Sequence, residues 1–307
     1  MKKIKNVAII GLGALGVMYG GMIKENLKEG KLYFIGDPAR IARLEEDPVY
    51  CNGMRCDFEM IDPTMSSIDF DLIIVAVKST ALNSAAKLAK PLVKKDTVVI
   101  SLLNGISSEE YLEEQLDQGT VITCIAQGMD ALKIGNELTY TRLGHLCVGI
   151  SPSEAHKQEQ LTRLRDFFEA MKISSTLEAD INHRIWGKWM LNVGVNQVVM
   201  VIKGTFASVQ HEGPARDLMI GAMKEVIEVA NASGINLGED DLEGYLDLIA
   251  TLNPEGMPSM AQDGVARRYS EVEMFSGTVI KKARALGIPV PINEQLYSQV
   301  RQIESEY

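Results

Sequence analysis

Over the first half of the chain, short runs of Val, Ile and Leu alternate with stretches whose apolar residues recur every three to four positions. Strands buried on both faces give the first pattern and amphipathic helices the second, so the alternation predicts parallel βαβ units. Residues 6–10, 31–36, 71–77 and 97–103 read as strands, and 14–27, 38–45, 80–89, 107–116 and 154–171 as helices. Asn52-Gly53, set between 49–51 and 54–56, is a two-residue type I′ hairpin signal, because both central positions of that turn need positive φ. The Thr- and Gly-rich stretch 121–150 predicts antiparallel strands at a sheet edge.

Beyond Leu177 the strand signal disappears and Ala, Met, Glu and Leu fill long helical patterns. Residues 180–201 read as one long helix, apolar on most sides and therefore buried. A second spans 215–233, ended by Gly234, and a third 259–286, ended by Gly287. The predicted class is α/β: an N-terminal Rossmann-type doubly wound sheet domain at 1–178, then an all-helical domain at 179–307.

Composition narrows the function. The 307 residues are 46% hydrophobic and 23% charged, as in a folded globular chain. Thirty-one basic against 41 acidic residues leave a net charge of −10, with no basic cluster to track phosphates, so a nucleic-acid partner is not expected. The four cysteines form no C-x-x-C pair and the four histidines no ligand spacing, which predicts no metal and fits a reducing cytoplasm. The uncharged run 7–23 behind Lys2-Lys3 superficially resembles a secretory signal. Five glycines interrupt it, it is short for a membrane span, and no small-residue cleavage site follows, so neither leader nor membrane partner is expected.

Gly11-Leu12-Gly13-Ala14-Leu15-Gly16 fits G-x-G-x-x-G between the first strand and the first helix. There the glycines permit a tight turn, close approach of a pyrophosphate and close helix–strand packing. Asp37, Lys78 and Asn104-Gly105 fall at the carboxyl ends of predicted strands, the edge where open α/β sheets bind ligands. Each also has a plain reading: an N-cap before Pro38, a solvated lysine and an ordinary turn. Lys188, Asn192 and Asn196 recur every four residues on one face of an apolar helix, where they need polar partners or a ligand. Gly187 and Gly194 cost that helix stability and point to close approach by something. Ser259, Asp263, Arg267 and Glu271 form a second ladder at helical spacing. Ser259 with Gln262 also reads as a capping box, and Glu271 as a surface partner of Arg267 or Arg268.

With these motifs in this order, closed by Gly287-Ile288-Pro289-x-Pro291-x-Asn293, the chain resembles the ketopantoate reductase (2-dehydropantoate 2-reductase) family from end to end. The resemblance implies a Rossmann domain for NADPH and a helical domain of the 6-phosphogluconate dehydrogenase C-terminal kind, closing a cleft over a 2-keto acid. It places the general-acid lysine on Lys188 and the family glutamate on Glu271. Substrate contacts fall on Asn104, Asn192, Asn196 and Ser259, and coenzyme contacts on the loop 11–16, Lys78 and Asn104. The implied activity is NADP-dependent reduction of ketopantoate to pantoate in pantothenate and coenzyme A synthesis. The alternatives are another 2-keto acid reduced to a D-2-hydroxy acid, or a non-catalytic NAD(P)-sensing protein. A homodimer is left open.

Two positions depart from the family. Pro258 replaces the first of two serines common before the methionine. Asp37 stands where many members carry an arginine for the 2′-phosphate, at the spacing of the carboxylate that binds a ribose 2′-hydroxyl. Asp37 facing the ribose predicts NADH. Asp37 turned inward as a cap lets Arg40, Arg43 and Lys78 favour NADPH, and NADPH is the expectation, with NAD allowed by Asp37.

Overall fold

The computed structural model describes residues 2–307, and the chain separates into two compact units: Met1–Asn104 with Ser108–Ile181, and Gly105–Ser107 with Asn182–Tyr307. The first unit opens with β1 (Asn6–Ile10), α1 (Ala14–Asn26), β2 (Lys31–Ile35) and α2 (Pro38–Glu46). Three two-residue strands follow, β3 (Tyr50–Cys51), β4 (Met54–Arg55) and β5 (Met60–Ile61). Then come β6 (Leu72–Val75), α3 (Leu82–Ala89), β7 (Val98–Ser101), α4 (Ser108–Gln115) and β8 (Thr120–Met129). The unit ends with β9 (Leu132–Ile134), β10 (Glu137–Thr139), β11 (Leu143–Gly149), α5 (Gln158–Ala170) and β12 (Ser175–Leu177).

Eight strands form one sheet in the order β12-β11-β8-β7-β6-β1-β2-β5. From β8 to β5 every pairing is parallel, whereas β11 runs antiparallel to β8. Strands β6 and β7 are buried at every position because helices cover both faces. Val7 and Ile9 pack with α1 and α5 on one side, and Ala8 and Ile10 with α3 and α4 on the other. Each such Val or Ile contributes about 1.5–3 kcal/mol on burial. The chain leaves β1 for β2 on one side and returns to β6 on the other, which makes the carboxyl end of β1 and β6 a topological switch point.

The Asn52-Gly53 hairpin forms as the sequence predicts, with φ of 48° and 78°. The stretch 121–150 is antiparallel as predicted, β8 with β11 and β9 with β10, but only β8 and β11 belong to the main sheet. Its middle leaves as β9 and β10 to join the hairpin in a second sheet, β4-β3-β10-β9, where Leu138 is buried. Short exposed runs of this kind have too little periodicity to be assigned from sequence.

The second unit is helical: α6 (Ile181–Val201), α7 (Ala207–Gln210), α8 (Pro214–Ala232), α9 (Glu239–Ala250), α10 (Ser259–Val265), α11 (Ser276–Leu286) and α12 (Pro291–Glu304). Its core gathers Trp189, Val193, Met223, Val226, Phe275 and Leu296 among others. The glycines of α6 answer to the protein's own side chains. A Cβ on Gly187 would lie 2.9 Å from the Tyr245 ring, and one on Gly194 2.6 Å from Met223. No helix among the described residues is long and apolar enough to cross a membrane.

The single helix predicted over 259–286 is broken in two. Helix α10 stops in a Schellman turn, in which Arg268 N donates to Asp263 O at 2.9 Å and Arg267 N to Gly264 O at 3.1 Å, with Arg267 at φ 50°. Arginine occupies the left-handed position usually given to glycine, so the sequence carries no stop signal there. Glu304 then holds the non-helical connection, accepting from Ser270 N at 2.7 Å and Ser270 Oγ at 2.6 Å.

Candidate functional site

The loop after β1 is built on the backbone. Gly11 adopts φ 118°, and a Cβ there would sit 2.3 Å from the carbonyl oxygen of Ala76, just beyond β6. A Cβ on Gly16 would sit 2.1 Å from Gly11 O. Leu12, Ala14 and Leu15 are half-buried against the sheet's core, and Gly13 starts α1 in an extended conformation with no side-chain cap. The first turn of α1 holds no acidic residue, and the first amide bonded back along the helix is that of Val17, to Gly13 O at 3.0 Å. An uncapped helix end at the switch point, behind glycines that leave no room for side chains, suits a pyrophosphate.

Lys78 lies two residues past the carbonyl that Gly11 approaches, and it is exposed. Asp37 follows β2, the neighbouring strand. Its Oδ1 accepts from Arg40 N at 2.8 Å as the N-cap of α2, with Pro38 in the first turn, and its Oδ2 stands 3.9 Å from Arg40 Nε. The cap reading of Asp37 therefore describes one carboxylate oxygen, and Arg40 partly neutralises the other. Arg40 and Arg43 are both exposed.

Asn104 ends the run that leaves β7. Next to it, Gly105 takes φ 97°, a conformation that favours glycine, and a Cβ there would meet Met274 Cε at 3.0 Å. Within the helical unit the Met274 carbonyl accepts from Trp189 Nε1 at 2.8 Å. The turn beginning at Glu271 is thus tied to α6 at the residue beside Lys188.

In the helical unit, Lys188, Asn192 and Asn196 line one face of α6, half-buried at 188 and 192 and buried at 196. The amide directions follow from one fixed donor. Met260 N can only donate, and it meets Asn196 Oδ1 at 3.3 Å; Ser259 Oγ donates to the same oxygen at 3.0 Å. Asn196 Nδ2 must then face outward, and it donates to Asn192 Oδ1 at 3.1 Å. That leaves the Asn192 amino group directed away from the pair, and the lone pairs of Ser259, which is exposed, open to a donor. Asn196 itself is largely consumed in holding α10 to α6.

The expected capping box at Ser259 is absent. Pro258 is the N-cap of α10 and brings no side-chain bond, Ser259 bonds Asn196, and Gln262 Nε2 donates to Met257 O at 2.9 Å. The ladder from Ser259 to Glu271 is also corrected. Glu271 opens a separate 3-10 turn, Val272–Met274, beyond the break in the helix. Arg268 Nε pairs with buried Asp263 at 2.8 Å, and Arg267 turns to the carbonyl of Glu306 and the ring of Tyr307.

Two polar groups have surroundings that the sequence reading did not assign. Asn293, in the closing motif, is fully buried, donates to Glu225 Oε2 at 2.7 Å and accepts from Ser276 Oγ at 2.8 Å, while Glu225 also receives the Ile292 and Asn293 amides that start α12. Its part is structural. Glu109, in the first turn of α4, is pushed up to about 7 by burial, against hydrogen bonds from Ser108 and from its own and the Cys124 amide that pull it down. As an acidic residue in a helix's first turn it looked ordinary, because sequence cannot report burial.

The glycine loop at a switch point and the separate helical unit with its lysine and amides define a dinucleotide-binding protein with an appended helical unit. The chain belongs to the ketopantoate reductase family: the family model "Ketopantoate reductase PanE/ApbA" matches residues 7–160 and "Ketopantoate reductase PanE/ApbA C terminal" residues 180–304. It is similar to the 2-dehydropantoate 2-reductase of Pyrococcus horikoshii, 25% identical over 304 residues and 97% of each chain. Among solved structures it is similar to a PanE/ApbA family ketopantoate reductase from Ralstonia eutropha, with TM-score 0.81 and 26% identity over 98% of this chain and 99% of that one. The fold is also that of a D-mandelate dehydrogenase solved with NADH and anilino(oxo)acetate, with TM-score 0.84 at 21% identity, covering 98% of both chains.

Proposed function

We propose that the protein reduces a small 2-keto acid with a nicotinamide coenzyme, NADPH by preference, and that the acid is ketopantoate, giving pantoate. The observation that carries the reading is the polar row on α6, in which one face of a largely apolar helix holds Lys188, Asn192 and Asn196, with Asn196 pinned by Met260 N and Ser259. The loop 11–16 with Lys78, Arg40 and Asn104 would hold the coenzyme, whose dihydronicotinamide supplies the hydride for the keto carbon. Lys188, as the ammonium, gives its proton to the keto oxygen as negative charge grows there, general-acid work worth typically ~10²–10⁴-fold. Glu271 compensates that charge and orients the amine. The Asn192 amino group donates to the substrate carboxylate, Ser259 and Asn104 complete the contacts, and Asn196 fixes the direction of the Asn192 amide.

The reading places the enzyme in the cytoplasm, and a homodimer belongs to the same proposal, checked by the mass in solution. The test is coenzyme oxidation by the purified protein against ketopantoate and a panel of 2-keto acids, with NADPH and NADH separately. Ketopantoate should give the highest kcat/KM. The second reading is that another 2-keto acid of the panel, reduced to a D-2-hydroxy acid, outruns ketopantoate.

A further inference from the structure

The hairpin β3–β4 carries a pair of thiols outside the candidate site. Cys51 is opposite Met54 in the ladder, so Cys56, two residues further along, projects from the same side as Cys51. Both are half-buried beside Tyr140, and both are free thiols. The first limb is well anchored: Asn52 N donates to Leu138 O at 2.8 Å, Tyr140 N to Asn52 Oδ1 at 3.0 Å, and Gly53 N to Glu137 Oε1 at 2.9 Å. The second limb has the short ladder, the bond from Cys56 N to Val49 O at 2.8 Å, and local contacts of its own, Cys56 Sγ to Met54 O at 3.9 Å and Arg55 Nε to Asp57 at 3.2 Å; Met54 and Arg55 are exposed. The first limb is the more heavily bonded of the two, and each thiol shifts the titration of the other.

We infer that Cys51 and Cys56 are a reversible dithiol–disulfide pair, closed by a small-molecule disulfide of the glutathione class. The thiolate of Cys51 attacks one sulfur of the oxidant and releases one thiolate, leaving a mixed disulfide on Cys51. Cys56 then attacks the Cys51 sulfur and releases the second. The bond Sγ51–Sγ56 forms, the oxidant's S–S bond is reduced to two thiols, and the two protein thiol protons end on them. Cys51 is the attacking sulfur because Tyr140 and Cys56 both favour its thiolate, whereas Cys51 disfavours that of Cys56. A diagonal cross-strand pair stands somewhat beyond the usual Cα separation of a disulfide, so closure must draw the second limb toward the first, and the bond is readily reduced, as a switch requires rather than a staple. Cys56 also lines a cavity of about 420 Å³ with Ile41, Leu44 and Glu45 of α2, so closure alters the floor beneath the helix that Asp37 caps.

Burial holds both thiols up, Cys56 to about 11, with Glu137 acting the same way on Cys51, and Cys51 and Asp57 on Cys56. Tyr140 and Cys56 pull the other way on Cys51, and Lys24 on Cys56, so closure is slow near neutral pH and quickens as pH rises.

The full chain is incubated with oxidised glutathione at pH 7 and at pH 9, alkylated under denaturing conditions, and read by intact mass and peptide mapping. The expected result is a loss of two hydrogens, a fall from four alkylated thiols to two, a linked Cys51–Cys56 peptide, faster closure at pH 9 and reversal by dithiothreitol. Cys56→Ser should instead hold a stable glutathione adduct on Cys51. Four alkylated thiols after oxidation, a link that includes Cys124 or Cys147, or a lasting adduct on the wild-type chain would each overturn the assignment.

Discussion

The two units reach their candidate sites by opposite means. In the sheet unit the candidate coenzyme loop is a matter of backbone: Gly11 and Gly16 leave no room for a Cβ, and α1 presents a bare helix end. In the helical unit the site is a matter of side chains, a lysine and two amides whose directions are set by a hydrogen-bond chain from Met260 N. A backbone site fails when a residue's shape changes, and a side-chain site fails when its chemistry changes at constant shape. The two halves should therefore break separately.

The largest effect is expected at Lys188. If Lys188 is the proton donor, as proposed, Lys188→Ala should lower kcat by at least ~10²-fold while coenzyme affinity stays near wild type. If Glu271 acts through Lys188, the double variant should lose much less than the two single losses summed as free energies. Unchanged kcat in Lys188→Ala would move the proton donor elsewhere.

Gly11→Ala is the converse. The new Cβ clashes with a strand-end carbonyl and must also take φ 118°, so stability should fall by roughly 2–3 kcal/mol and coenzyme affinity by tenfold or more. The Asn192–Asn196–Ser259 chain lies in the other unit and should survive. Thermal melting and coenzyme titration read the two losses apart, and wild-type coenzyme binding in Gly11→Ala would end the backbone reading of the loop.

Legibility followed the same division. The glycine motif was readable because only one residue type tolerates those positions, and the row on α6 because four-residue spacing on an oily helix is conspicuous. The role of Asn196 was not, since spacing cannot say that Met260 N consumes its oxygen. The break after α10 was hidden by an arginine in a glycine's conformation, and with it the false ladder from Ser259 to Glu271. The second sheet escaped because its four strands have only two or three residues each and, Leu138 apart, none of their residues is buried.

Glu109 gives the sheet unit a pH dependence of its own. Its folded-state value, about 7, lies above its ordinary 4.5, so the folded chain binds the proton more tightly than the unfolded one. Its contribution is at its most favourable below pH 4.5 and declines as pH rises to about 7, by roughly 1–3 kcal/mol. Glu109→Gln should flatten this part of the curve of melting temperature against pH; an unchanged slope would assign it to other groups.

The smallest expected effect separates the two coenzymes. Asp37 caps α2 with one oxygen, and Arg40 stands near the other at 3.9 Å, so the carboxylate's charge is partly spent before a ribose or phosphate arrives. A tenfold preference needs only ~1.4 kcal/mol, which one arginine contact to a phosphate can supply. NADPH should therefore be favoured by a factor of about ten or less. Asp37→Asn keeps a capping oxygen while removing the charge, and should raise kcat/KM for NADPH without lowering the melting temperature by more than a degree or two. Asp37→Ala should give the same coenzyme shift together with a cap loss of about 1 kcal/mol. A wild-type preference for NADH that Asp37→Asn abolishes would mean that the carboxylate turns from the helix to the ribose when coenzyme binds, and that the cap is given up in the working enzyme.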